Sequence, residues 1–172
     1  MRIRQRTTIA VIGLLTSFLM AGVTLAPAHA TPADHPGNDK ITVTRGPHGA
    51  AVIQLPSQTS PASIAAAAPT TSPAVQRDWI PNGSTYECDR GYACATVKYG
   101  AGYYVFRFYY YGTYALSNWY GDGYVLNNQT GGAAVRVLDV HGGQLLCESR
   151  SPWSRYVVWD PAWYIRLTSS SC

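Results

Sequence analysis

All 13 Tyr, all 5 Trp and all 4 Cys of this 172-residue chain lie beyond position 78. This segregation constrains the fold more than any motif does. Large rings and cystines are what a small domain relies on to hold itself together, so the stretch from Trp79 to Cys172 must carry the core. The chain before it has another task.

Met1 to Ala30 reads as a secretory signal peptide. Arg2, Arg4 and Arg6 form a positive start, Ile9 to Val23 an apolar run, and Ala28-His29-Ala30 a small-x-small cleavage site. A membrane span needs roughly 20 apolar residues, and this run is interrupted by Thr16, Ser17 and Gly22. The expectation is a secreted, extracellular protein with no membrane span in its mature form. Loss of the three arginines takes Lys+Arg from 13 to 10 against 9 acids, so the formal charge falls from +4 to +1. A nucleic-acid partner, which needs a concentrated basic patch, is not expected.

Residues 31–78 have the composition of a linker or pro-segment. They hold most of the Pro, the run Ala65-Ala66-Ala67-Ala68 and Ser/Thr clusters such as Pro69-Thr70-Thr71-Ser72-Pro73. Such sequence buries too little apolar surface to offset chain entropy. One piece has strand character: Ile41-Thr42-Val43-Thr44 and Val52-Ile53-Gln54-Leu55 flank Gly46-Pro47-His48-Gly49. A lone hairpin is marginal in water, so the expectation here is disordered linker, with a pro-segment that docks on the domain as the alternative.

Residues 79–172 alternate with a period of two. In Tyr103-Tyr104-Val105-Phe106-Arg107-Phe108-Tyr109, one face takes Tyr104, Phe106 and Phe108 and the other takes Tyr103, Val105, Arg107 and Tyr109. Ala133 to Val140 and Trp163 to Leu167 repeat the pattern, and Gly- or Asn-rich turn signals separate the runs. Only Thr113 to Trp119 has the look of a short helical turn. The fold class predicted is all-β, a disulfide-stapled sandwich. Four Cys allow three pairings. Cys88–Cys94 and Cys147–Cys172 are favoured because each closes a short local segment, and chain entropy assigns them about 2 and 3–4 kcal/mol respectively. A zinc site is not expected, since the domain has a single His, His141.

Cys88-Asp89-Arg90-Gly91-Tyr92-Ala93-Cys94, the aromatic strand after it, Gly112-Thr113-Tyr114-Ala115-Leu116-Ser117, and Asn127-Asn128 leading into Ala134-Val135-Arg136-Val137 together resemble a known family. It is the secreted metalloproteinase inhibitors with a βγ-crystallin-like Greek-key fold, and the resemblance covers about Cys88 to Val140. It implies a Greek-key sandwich and a peptidase inhibitor. The spacing of aromatics departs from the crystallin signature: set against Gly112, the first aromatic slot holds Val105. Microbial crystallin-like domains also bind calcium through a pattern that Asn127, Asn128 and Thr130 enter, although Gly131 and Gly132 stand where hydroxyl residues belong. Calcium is the one cofactor the resemblance suggests.

Nothing in the domain has the form of a catalytic motif. There is no GxSxG, HExxH or P-loop, and Glu87, Asp89, Asp122, Asp139, Glu148 and Asp160 sit mostly beside turns or cysteines. The protein is read as a binder rather than an enzyme. Tyr109, Tyr110, Tyr111, Tyr114 and Trp119 are the candidate binding surface, since amphipathic rings give contact area at low entropy cost. Trp153 and Trp163 are assigned to the core. For an inhibitor, the candidate reactive segments are Glu148-Ser149-Arg150-Ser151-Pro152-Trp153 and the Tyr110-Tyr111-Gly112 tip, and the partner is an extracellular protease. The alternatives are a module that stacks exposed Tyr and Trp on polysaccharide or cell wall, and a crystallin-like antimicrobial or killer-toxin protein. Fold alone does not choose among them.

Overall fold

A computed structural model describes residues 41–57 and 67–172. The expected signal peptide and residues 31–40 and 58–66 of the linker or pro-segment lie outside them. In chain order the strands are β1 (Thr42–Arg45), β2 (Ala51–Gln54), β3 (Thr70–Ser72), β4 (Gln76–Pro81), β5 (Thr85–Cys88), β6 (Ala93–Tyr99) and β7 (Gly102–Phe108). They continue with β8 (Gly112–Ser117), β9 (Asp122–Asn127), β10 (Ala134–Leu138), β11 (Gln144–Glu148), β12 (Trp153–Val158) and β13 (Tyr164–Thr168). The described residues are all-β, and Thr113 to Trp119 runs as strand β8 and its exit rather than as a helical turn. Pairing with β13 and β3 on either side supplies its backbone partners.

Three antiparallel sheets form: β1-β2-β5, β11-β10-β13-β8-β3 and β12-β9-β6-β7-β4. The last sheet is the middle layer. Its strands obey the expected period of two, and each face feeds a different core. Ala95, Val97, Phe106, Phe108 and Val125 face the other five-stranded sheet, where Leu116, Val135, Val137, Ile165 and Leu167 meet them. Cys94, Tyr103, Val105 and Leu126 face the three-stranded sheet and pack on Ala51, Ile53, Leu55, Tyr86 and Cys88. Around Gly46-Pro47-His48-Gly49, where disordered linker is the first expectation, the strand-like runs pair as a hairpin, Thr42 with Gln54 and Arg45 with Ala51. Part of the stretch read as linker or pro-segment is therefore folded, and it supplies β1, β2, β3 and the first half of β4. Its β4 is tied to β7 by the Arg107–Asp78 ion pair and by Arg77 lying 5.0 Å over the Tyr104 ring.

Strand exchange links the two large sheets. β9, β6 and β7 lie side by side while β8, which falls between β7 and β9 in sequence, crosses to the opposite sheet. β13, β10 and β11 repeat this arrangement, with β12 crossing back to pair with β9. Each half thus lends one strand to the other.

Trp119 and Trp159 anchor the main core, which corrects the sequence assignment. Trp119 is only 3% exposed; its ring lies 4.5 Å from Phe106 and 4.7 Å from Trp159, and its Nε1 donates to the Thr70 carbonyl. Trp159 donates to the Thr96 carbonyl at 2.9 Å. Gly123 makes room for it: a Cβ there would collide with the Thr96 carbonyl oxygen and Trp159 Nε1. Trp153 and Trp163, assigned to the core, are instead 45% and 50% exposed. At Trp163 the backbone is what the fold uses, donating to Leu138 and accepting from Leu116. Cys88–Cys94 and Cys147–Cys172 form the two disulfides favoured from the sequence, and no described cysteine is free.

Candidate functional site

One end of the molecule gathers its loops. The middle sheet ends on a row in which Trp153 pairs with Asn127, Asn127 with Ala93, and Ala93 with Phe108. The segments 149–152, 128–133, 89–92 and 109–111 therefore leave the sheet side by side. The tip of the β1–β2 hairpin joins them, because Ala51 pairs with Cys88 at the same edge.

Two asparagines lock this cluster. Asn127 Nδ2 donates to the Ala133 and Glu148 carbonyls at 3.0 and 3.1 Å, and its Oδ1 accepts from Gln129 Nε2 at 2.9 Å. Asn128 Nδ2 donates to the Gly49 and Cys88 carbonyls at 3.0 and 2.9 Å. The Asn128 backbone also exchanges hydrogen bonds with Gly91 and Tyr92. Buried amides with several partners are costly to disturb. The pair marked by the crystallin-like calcium pattern is thus turned inward and engaged with main chain, while Thr130 is exposed at the rim. Among the described residues, no three His, Cys, Asp or Glu side chains group as a metal site.

The candidate aromatic surface divides in two. Tyr109, Tyr110 and Tyr111 stand out as a ridge, Tyr110 being 75% exposed. Tyr114 and Trp119 are buried, which corrects their assignment to the surface. Tyr114 still serves the ridge, since its hydroxyl donates to the Tyr110 carbonyl at 2.8 Å and its ring sits 5.0 Å from Phe108. Burial pushes the Tyr114 hydroxyl above its ordinary pKa. Tyr109 is wedged between Tyr92 at 4.9 Å and Tyr110 at 5.1 Å. The ridge is consequently held from beneath and from the side.

The other candidate loop is ordered by charge. Glu148 is buried and accepts from the Arg150 backbone N–H, Nε and Nη2 at 2.9, 2.9 and 2.8 Å. Burial pushes the Glu148 carboxyl up, but these hydrogen bonds and the nearby Arg150 and Arg155 charges outweigh it and hold the carboxyl below its ordinary range. Arg150 also stacks 4.2 Å over the Trp153 ring. Its side chain is engaged by these two partners while staying on the surface.

Grooves run between these parts. One of about 560 Å³ lies among Arg45, Arg90, Gln129, Thr130, Ser149 and Ser151. It shares Gln129 and Thr130 with a smaller groove of about 250 Å³ against the tyrosine ridge. Another of about 430 Å³ flanks the ridge on its far side, along Pro73 to Gln76 and Arg107. Sequence reasoning missed Arg45, Arg90 and Gln129. Arg45 sits in the stretch read as spacer, and only the fold brings it beside Arg90. No family model, no curated protein and no solved structure matches this chain. Its disulfides, and the lack of a long apolar helix among the described residues, are compatible with an extracellular location.

Proposed function

We propose that this protein is a secreted, proteinase inhibitor-like binder that presents its locked loop end to an extracellular protease. The observation that carries the reading is the rigid cluster around Asn127 and Asn128, with the Tyr109–Tyr111 ridge held at its edge. An inhibitory loop must enter a cleft without losing much freedom, because ordering costs are subtracted from affinity. The strand order supports the same reading. Two four-stranded units in which the fourth strand lies beside the first, each lending its third strand to the opposite sheet, is the arrangement expected of a crystallin-type pair of Greek keys. We take the Tyr110-Tyr111 tip as the reactive segment. It projects, whereas Arg150 in the other loop is committed to Glu148. The test is steady-state inhibition of a thermolysin-like and a subtilisin-like protease by the purified chain. Submicromolar inhibition that disappears in Tyr110→Ala supports the reading. Ordinary digestion by both enzymes, with no inhibition, rejects it.

A second reading rests on the ridge itself. Three adjacent exposed tyrosines with a groove on each side offer flat rings and hydroxyls to a sugar chain. Retention on an immobilised polysaccharide, lost in Tyr110→Ala, would favour it over inhibition.

A further inference from the structure

The groove that meets the ridge's own groove at Gln129 and Thr130 carries two arginines. Arg45 comes from β1 and Arg90 from the Cys88–Cys94 loop, and the fold sets both on the wall of one groove of about 560 Å³. None of its lining residues is acidic. The ion pairs among the described residues are Arg107–Asp78 and Arg150–Glu148, so neither Arg45 nor Arg90 has a carboxylate partner there. Arg90 lies across Gly49, where a Cβ would stand 3.1 Å from its Cδ, so its stem has a defined seat. Thr130, Ser149 and Ser151 add hydroxyls to the lining, and Gly131 and Gly132 add bare backbone, beside Asn128, Gln129 and Pro152.

A second observation points to a ligand. Gln129 lines this groove and the neighbouring one, is almost fully buried, and leaves its Oε1 without a hydrogen-bond partner. Its Nε2 donates to Asn127 Oδ1 at 2.9 Å, while its acceptor is unused. A buried acceptor without a partner carries a desolvation cost, which a hydroxyl or N–H from outside would relieve after a small outward turn of the amide. The Arg pair asks for an oxyanion, since guanidinium forks match carboxylate and phosphate. Gln129 asks for a donor. A hydroxylated, anionic ligand satisfies both.

We infer that the Arg45–Arg90 groove binds the anionic substituent of an acidic polysaccharide whose neighbouring sugar stacks on Tyr109–Tyr111. This rests on the second reading above and names the class of glycan it would take. The oxyanion, carboxylate or phosphate, docks between the two guanidinium groups. A ring hydroxyl meets Gln129, and the continuity through Gln129 and Thr130 leads the chain onto the ridge.

The test uses the purified full chain at low ionic strength and measures affinity for three probes: polygalacturonate, poly(glycerol phosphate) and a neutral dextran. The first two distinguish carboxylate from phosphate as the source of charge. Tighter binding to at least one acidic polymer than to dextran is expected, by about tenfold or more given what hydrogen bonds to charged groups contribute. The double variant R45Q/R90Q is expected to lose that preference. Both residues are exposed, so its thermal midpoint should stay with that of the parent. Equal affinity for acidic and neutral polymers, or an acidic preference unchanged in R45Q/R90Q, would overturn the inference. So would absence of binding to both acidic polymers. Tyr110→Ala separates the two ideas. If it abolishes binding to every polymer while R45Q/R90Q changes nothing, the sugar reading stands and the anion groove falls. If R45Q/R90Q removes binding and Tyr110→Ala does not, the groove stands without the stacked sugar.

Discussion

The core between the two five-stranded sheets is made largely of rings, with Phe106, Phe108, Tyr114, Trp119 and Trp159 in contact around aliphatic neighbours. The core beneath the hairpin is a smaller mixture of Ala51, Ile53 and Leu55 with Tyr86, Tyr103 and the Cys88–Cys94 cystine. The first is drawn almost wholly from the aromatic-rich half of the chain. The second exists only because residues 41–57 lie over the back of the same sheet. The difference teaches that a composition boundary need not be a structural one. A sheet covered on one side would have left Tyr103, Val105 and Leu126 facing water. With both sides covered, most positions of β6, β7 and β9 are buried and none is fully exposed. Much of the surplus of apolar side chains in the domain is absorbed by a third layer, while the loop-end tyrosines, three tryptophans and scattered residues such as Tyr120, Val140 and Leu145 stay outside.

The comparison can be broken hardest at Trp159. Trp159→Ala empties the ring core and strands the Thr96 carbonyl, so a loss of about 3–5 kcal/mol is expected in urea unfolding. Ile53→Ala tests the second core and should cost about 2–4 kcal/mol. If the hairpin were only loosely laid on the sheet, that cost would shrink to the few tenths typical of a surface site. Asn128→Ala sits where the hairpin, the cystine loop and the middle sheet meet. Loss of its bonds to Gly49 and Cys88 should cost about 1–3 kcal/mol and weaken whichever ligand binds the loop end.

Two titrations sharpen the contrast with smaller effects. Glu148 has a lowered pKa in the folded state. Its contribution to stability is complete above the ordinary carboxylate range and is lost as pH falls through the lowered value. Glu148→Gln should therefore unfold less steeply with acid than the parent, as followed by circular dichroism. Tyr86, in the second core, has its pKa pushed up mainly by burial. Here the sign reverses: stability is intact below the ordinary tyrosine range near 10 and falls as pH rises above it. The Tyr86 hydroxyl has no partner, unlike that of Tyr114. Tyr86→Phe is thus expected to leave neutral-pH stability within about 0.5 kcal/mol while blunting the alkaline loss. A large loss at neutral pH would mean that the hydroxyl does bonding work.

Much of the fold was legible in local pattern. The period of two in Tyr103 to Tyr109 named the two faces of β7 correctly, and short cystine loops named both pairings. What escaped depends on partners distant in sequence. Trp119 and Trp163 each stand beside a strand end, and nothing local says which ring turns inward. Trp119 does so because β3, some 50 residues earlier, offers the Thr70 carbonyl to its indole. Asn127-Asn128 looked like ligands because amides that bind metal and amides that clamp backbone share the same chemistry. The ridge was half visible: Tyr109 to Tyr111 were found, but the arginine groove beside them joins β1 to the cystine loop across a gap that alternation does not bridge.

Hydrogen–deuterium exchange on the intact chain tests the three-layer arrangement most directly. The account expects the amides of β2 that pair with β5, from Ala51 to Gln54, to be protected to a degree comparable with those of β6. Exchange of β2 at the rate of solvated chain, while β6 stays protected, would contradict it.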